Sequence, residues 1–197
     1  ICVTDPKATE SNIKGMQLYG AEVIVVDKPD PVDGYLGTRL NTIQRMLETE
    51  TNAIWLNQDA NTAAKNVHAE QTAEEIINEF DKVDWIFVGS GTTGTITGVA
   101  ERLNDVFPRI KVIAVEPEGS VTFGGKSEKR NIPGIGTSVR PPLADHVDPD
   151  EVVRISESKT VDSCHHFVGN YHLLVGGSTG AVLEAVRQKA PEFKPGE

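Results

Sequence analysis

Cysteine is scarce here: Cys2 and Cys164 are the only two among 197 residues. They lie far apart and in no metal-ligand spacing, which excludes a disulfide scaffold and a cysteine-rich metal site. An excess of positive charge is also missing. Lys and Arg total 19 against 29 Asp and Glu, for a net charge of −10. That balance argues against nucleic acid or an anionic membrane as the main partner. No apolar run approaches the length of a membrane span. These absences leave small molecules as the expected ligands and a reduced, cytoplasmic setting as the expected location. An anionic ligand would need a local positive feature to hold it. The chain opens without methionine on the apolar run Ile1–Val3 and stops soon after a helical stretch, so it is expected to be a fragment, incomplete at both ends.

Short apolar β-prone runs alternate with longer helical ones. Strands are predicted at Ile1–Thr4, Glu22–Val26, Ala53–Leu56, Trp85–Val88, Val112–Val115, Val152–Ile155 and Leu173–Val175. Most are apolar throughout and do not alternate in polarity, as expected where helices cover both sheet faces. Helices are predicted near 9–19, 36–49, 61–80, 94–104, 158–168 and 179–190, with Gly20 as a stop for the first. The class is therefore α/β with parallel or mixed sheets. Residues 1–58 and 59–197 form two uneven parts, and Glu116–Pro142 is a glycine- and proline-punctuated loop long enough to suggest function.

The strongest local signal is VGSGTTGTITGV, Val88 to Val99, between a predicted strand and a predicted helix. Gly89, Gly91 and Gly94 let backbone amides approach a ligand. Thr92, Thr93 and Thr95 add hydroxyls, and the helix start adds unpaired N–H groups and its positive end. Together these cradle a phosphate without lysine or arginine. A Walker A loop is excluded, because Thr95 and Ile96 follow Gly94 where Lys and Ser/Thr are required. The dinucleotide fingerprint matches at Gly89, Gly91 and Gly94, with Glu116 near the distance of a ribose-binding acid. On this segment alone that reading, a compact phosphate cup and a plain tight turn all stand.

Further stretches bear on the choice. Gly91–Val99 resembles the phosphate loop of fold-type II pyridoxal-phosphate (PLP) enzymes of the cysteine synthase and cystathionine β-synthase family. TDPKATESNIKGMQLYGAEVIVV (Thr4–Val26), NQDANTAAKNVH (Asn57–His68), IAVEPEGS (Ile113–Ser120), IPGIGTS (Ile132–Ser138) and GGSTGAV (Gly176–Val182) resemble segments of that family in its order. EGSVTFG (Glu118–Gly124) and KRNIPGIGTSVRP (Lys129–Pro141) are most similar to its 2,3-diaminopropionate subgroup, tied to siderophore biosynthesis.

The resemblance implies a two-subdomain fold, with 1–58 part of the small domain and 59–197 most of the large cofactor domain. It implies PLP as cofactor, its phosphate held by Gly91, Thr92, Thr93, Gly94 and Thr95, and its pyridine nitrogen met by Ser178. A plain helix N-cap is the competing role for Ser178. Gly134, Ile135 and Gly136 would line the substrate pocket, and Arg140, like Arg130, would meet a carboxylate or leaving phosphate. The implied reaction is β-replacement on O-phospho-L-serine by L-glutamate, in a homodimer. Rivals are a cysteine synthase, an NAD(P)-binding oxidoreductase and a chain without activity of its own. No catalytic residue is expected in this chain, since the family's Schiff-base lysine belongs upstream of Ile1. Lys7, Lys14 and Lys65 read as solvated residues. His165 and His166 beside Cys164 point apart on a helix and suggest no metal.

Overall fold

The computed structural model describes residues 1–197, which fold as two compact units, Ile1–Leu56 and Asn57–Glu197. In the first, strand β1 (Cys2–Thr4) is followed by helix α1 (Glu10–Leu18), β2 (Val23–Val25) and α2 (Gly34–Thr49). β1 and β2 pair in parallel, Cys2 opposite Val23 and Thr4 opposite Val25, so the chain needs a crossover between them and α1 supplies it. The Thr9 hydroxyl accepts the Asn12 amide to start α1. Gly20, at φ +84°, ends it while its amide donates to Gln17 and that of Ala21 to Met16.

In the second unit, α3 (Thr62–Val67) passes through a π turn at His68–Thr72 into α4 (Ala73–Glu79). There follow β3 (Trp85–Gly89), α5 (Gly94–Val106), β4 (Lys111–Pro117), β5 (Glu151–Ile155), α6 (Glu157–Tyr171) and α7 (Gly177–Lys189). The sheet runs β3-β4-β5, parallel throughout. Alternate residues enter opposite cores. Val88, Val112 and Ala114 pack with Ile96, Val99, Ala100 and Leu103 of α5. Ile113, Val115, Val153 and Ile155 pack with Ala181 and Ala185 of α7. Helices on both faces account for the unbroken apolar character of β4.

The sequence pattern and the structure part at three places. The helix predicted over 61–80 contains the π turn. Ala53–Leu56 and Leu173–Val175 are not strands: Ile54 is 87% and Leu174 91% exposed. β-Propensity is realised only beside a partner ladder, and neither segment has one. Helix α5 meets α3 so closely that a Cβ on Gly98 would collide with the Lys65 carbonyl oxygen and the Ala69 amide. Gly98→Ala is therefore expected to destabilise the protein by about 2–3 kcal/mol, read as a lower midpoint in denaturant unfolding; an unchanged midpoint would refute the close approach.

Candidate functional site

β3 ends at Gly89, and the chain turns through Ser90–Thr93 before α5 begins at Gly94. Thr93 sits at φ +67°, a backbone conformation that non-glycine residues seldom adopt and that clusters at functional sites. Its hydroxyl donates to the Thr92 carbonyl at 2.7 Å. The first backbone bond of the helix runs from the Thr97 amide to the Thr93 carbonyl at 2.9 Å. The amides from Gly91 to Ile96 consequently have no acceptor within the chain. The residues that carry them line a cavity of about 350 Å³, together with Gly134, Ile135, Gly136, Thr137 and Gln58. A Cβ on Gly91 or Gly134 would meet no atom within 4 Å, so both glycines border open space. No charged side chain lines the cavity.

The loop across the cavity is held from behind. The Gly136 amide donates to the Ser90 carbonyl at 2.7 Å, joining the loop to the turn that follows β3. Gly136 is at φ +72°, and a Cβ there would lie 2.7 Å from Pro117; only glycine fits. Ile135 is buried beside Val182 of α7. Arg130 donates to the carbonyls of Gly119 and Thr137 and to the Ser138 hydroxyl. Glu157, at the start of α6, accepts the amides of Asn131 and Ile132 and the Asn131 side-chain amide. These donors hold its carboxyl below the ordinary 4.5, the Ile132 amide first and then the Asn131 side chain.

The predicted site residues divide. Gly91, Thr92, Thr93, Gly94, Thr95, Gly134, Ile135 and Gly136 come together around one cavity. Arg140 does not line it. Its guanidinium donates to Asp145, to the Thr122 carbonyl at 2.8 Å and to the Ala144 carbonyl, so it holds backbone where a ligand carboxylate was expected. Ser178 is half-buried in the first turn of α7 and is not its cap; Gly176 takes that position. Val182, one turn further along the same helix face, lies 3.4 Å from where a Cβ on Gly89 would sit. Gly177 abuts Ile132, where a Cβ would collide. The α7 start, the Ile132–Ser138 loop and the end of β3 are thus neighbours.

Two further groups bear on the site. The π turn directs His68 to Thr95, with Nε2 and Oγ1 3.0 Å apart, while Nδ1 lies 3.0 Å from the Thr72 hydroxyl. Only the Asn57–His68 pattern hinted at this segment. Glu116 has no exposed surface and faces Arg154 across the β4–β5 ladder at 2.8 Å. A carboxylate enclosed in this way does not reach a ribose, which removes the support for the dinucleotide alternative. Lys65 pairs with Glu101 and Lys14 with Glu10. His166 bonds Asn170, and the Cys164 thiol lies 3.6 Å from the Gly176 carbonyl oxygen.

A family model described as pyridoxal-phosphate dependent enzyme matches residues 1–197. Among solved structures, the chain is similar to an O-acetylserine dependent cystathionine β-synthase from Helicobacter pylori, with TM-score 0.87, 27% identity, 99% of this chain and 63% of that one covered. It is similar to an O-ureido-L-serine synthase, with TM-score 0.84, 25% identity and coverage of 98% and 60%. A hydrogen sulfide-producing enzyme from Fusobacterium nucleatum matches with TM-score 0.83, 29% identity and coverage of 96% and 64%. The chain thus spans under two thirds of the length of each. The fold is that of the fold-type II PLP enzymes.

The Glu157 clamp has a pH signature. Because its carboxyl is depressed below 4.5, its stabilisation is complete above the unfolded pKa and disappears as pH falls through the folded value. Hydrogen exchange at Asn131 and Ile132, corrected for intrinsic rates, is expected to lose protection in that acid window. Glu157→Gln should lose about tenfold already at neutral pH, in keeping with the strength of hydrogen bonds to charged groups. Protection in Glu157→Gln equal to that of the native chain would dismiss the clamp.

Proposed function

We propose, starting from the fact that this chain belongs to the pyridoxal-phosphate dependent enzyme family, that the cup at Gly91–Thr95 holds the cofactor phosphate of a β-replacement enzyme. Enzymes of this family bind pyridoxal 5′-phosphate. The observation that carries the proposal is the run of unpaired amides from Gly91 to Ile96 in a cavity without charged side chains. Such amides at a helix start favour a phosphate dianion, which the chain's net charge of −10 would otherwise repel. The hydroxyls of Thr92 and Thr95 add donors that suit phosphoryl oxygens, while the Thr93 proton is committed to the Thr92 carbonyl and that residue contributes its backbone amide. His68 holds the Thr95 hydroxyl at 3.0 Å and thereby orients it.

When bound, the cofactor's ring supplies an electron sink for loss of a Cα proton and departure of the β-substituent. This chain's residues bind and orient. In the proposal, Ser178 offers a neutral hydroxyl to the ring nitrogen, and Gly134, Ile135 and Gly136 admit substrate close to the backbone. Arg140 acts indirectly, by holding the Thr122 carbonyl. Residues 1–58 belong to the small domain of the parent enzyme and 59–197 to the large one, and the parent is a cytoplasmic homodimer. The anchoring lysine lies outside this chain.

For the substrates, the motifs Glu118–Gly124 and Lys129–Pro141 support O-phospho-L-serine as donor and L-glutamate as amine nucleophile. The product is N-(2-amino-2-carboxyethyl)-L-glutamate, consumed in 2,3-diaminopropionate formation. A cysteine synthase is the second reading, favoured by a neighbour described as O-acetylserine dependent. Paired assays of the complete holoenzyme separate the two. Phosphoserine with glutamate is expected to give a kcat/KM at least about a hundredfold above acetylserine with sulfide, a gap of ~2.7 kcal/mol in transition-state binding. The opposite ratio would establish the sulfide enzyme.

A further inference from the structure

Behind the cavity runs a chain of buried hydroxyls. Ser120 and Thr122 are 1% and 0% exposed. The Ser120 Oγ lies 3.0 Å from the Thr122 Oγ1, which lies 2.9 Å from the Thr137 Oγ1. Thr137 lines the cavity. Any one of these hydroxyls alone is free to donate or accept, yet the backbone settles the direction for all. Ser120 Oγ accepts two amides, from Thr122 at 3.3 Å and from Thr137 at 3.1 Å. A serine oxygen has two acceptor positions and one proton. Both acceptor positions are filled, so Ser120 donates to Thr122. Thr122, enclosed on all sides, must place its own proton on its remaining partner, the Thr137 oxygen. The Thr137 proton then has no acceptor inside the protein.

From this geometry we infer that Thr137 is a dedicated hydrogen-bond donor at the cavity wall, built to receive an anionic oxygen of substrate. The inference rests on the proposed β-replacement reading and deepens it. The backbone at Thr137 is fixed as firmly as its hydroxyl. Its carbonyl accepts Val121 at 3.0 Å and Arg130 at 2.9 Å. Arg140 secures the Thr122 carbonyl at 2.8 Å. A donor held in this way loses little freedom when it binds, which is where preorganisation gains affinity. Donation along a chain of buried hydroxyls also polarises the last proton. The two arginines flanking the loop therefore act through Thr137 and not by touching the ligand. An anionic oxygen on this side of the cavity comes from one of two chemical groups, a substrate carboxylate or the phosphoryl group that leaves.

Binding to the complete holoenzyme, measured by calorimetry, tests this without relying on turnover. Glutarate serves as the carboxylate probe and inorganic phosphate as the leaving-group probe. Thr137→Val keeps the shape and removes the donor; Thr137→Ser restores it. Thr137→Val is expected to weaken at least one probe about tenfold, a single hydrogen bond to a charged group, with Thr137→Ser within about threefold of the native enzyme. A loss on glutarate assigns a substrate carboxylate, and a loss on phosphate assigns the leaving group. Native-like binding of both probes by Thr137→Val would overturn the inference. So would Thr137→Ser binding as weakly as Thr137→Val, or a native enzyme that binds neither probe. Absence of turnover with phosphoserine and glutamate would end the proposed reaction and leave these constants to judge Thr137.

Discussion

A backbone hydrogen bond of 2.7 Å from the Gly136 amide to the Ser90 carbonyl joins the two loops whose facing sides make the cavity. Ser90 also donates its amide to Val115 at 2.8 Å, so the turn is an extension of the sheet. The loop is registered to the sheet through Ser90 and, at its other side, through Ser120, whose hydroxyl accepts the Thr137 amide while its own amide donates to Pro117 at the end of β4. Gly136 must approach Pro117 too closely for any side chain. Arg130 and Glu157 bind the loop's backbone from outside, and Arg140 holds the Thr122 carbonyl behind it. The result is a binding surface that depends on main-chain geometry, with side chains arranged to support it.

That division explains what was legible in the sequence. The Val88–Val99 turn was readable because its chemistry is local: glycines for close approach, threonines for donors, a helix to follow. The gathering of Gly134–Gly136 with it depends on a sheet order that no single segment encodes, and only resemblance pointed there. Arg140 was expected at a ligand carboxylate and bonds the Thr122 carbonyl; an arginine beside a glycine loop looks the same in sequence whether it meets ligand or backbone. The capping role weighed for Ser178 fails because the glycine pair before it already starts the helix. The π turn at His68–Thr72 leaves no trace in apolar spacing. Ala53–Leu56 and Leu173–Val175 have strand composition but no ladder to join, a tertiary condition that propensity does not contain.

The pairing of Glu116 with Arg154 shows a cost borne inside the same framework. Both residues lie opposite one another in the β4–β5 register, and the carboxylate is enclosed while the guanidinium reaches outward to the carbonyls of Phe123 and Gly124. A buried ion pair is weak evidence for stability, since desolvation offsets the attraction. Its effect here is positional. It ties the sheet end to the Phe123–Gly124 turn, and that turn follows directly on Ser120 and Thr122. The pair thus anchors the chain segment that carries the buried hydroxyls.

The π turn carries an evolutionary consequence. One extra residue in that turn brings His68 to Thr95, and a helix advances by about 100° per residue. Deleting a single codon between 68 and 72 would restore an ordinary helix and swing one flank a quarter-turn, separating the imidazole from its threonine. Lineages that keep this arrangement should accept point replacements there far more readily than changes in length.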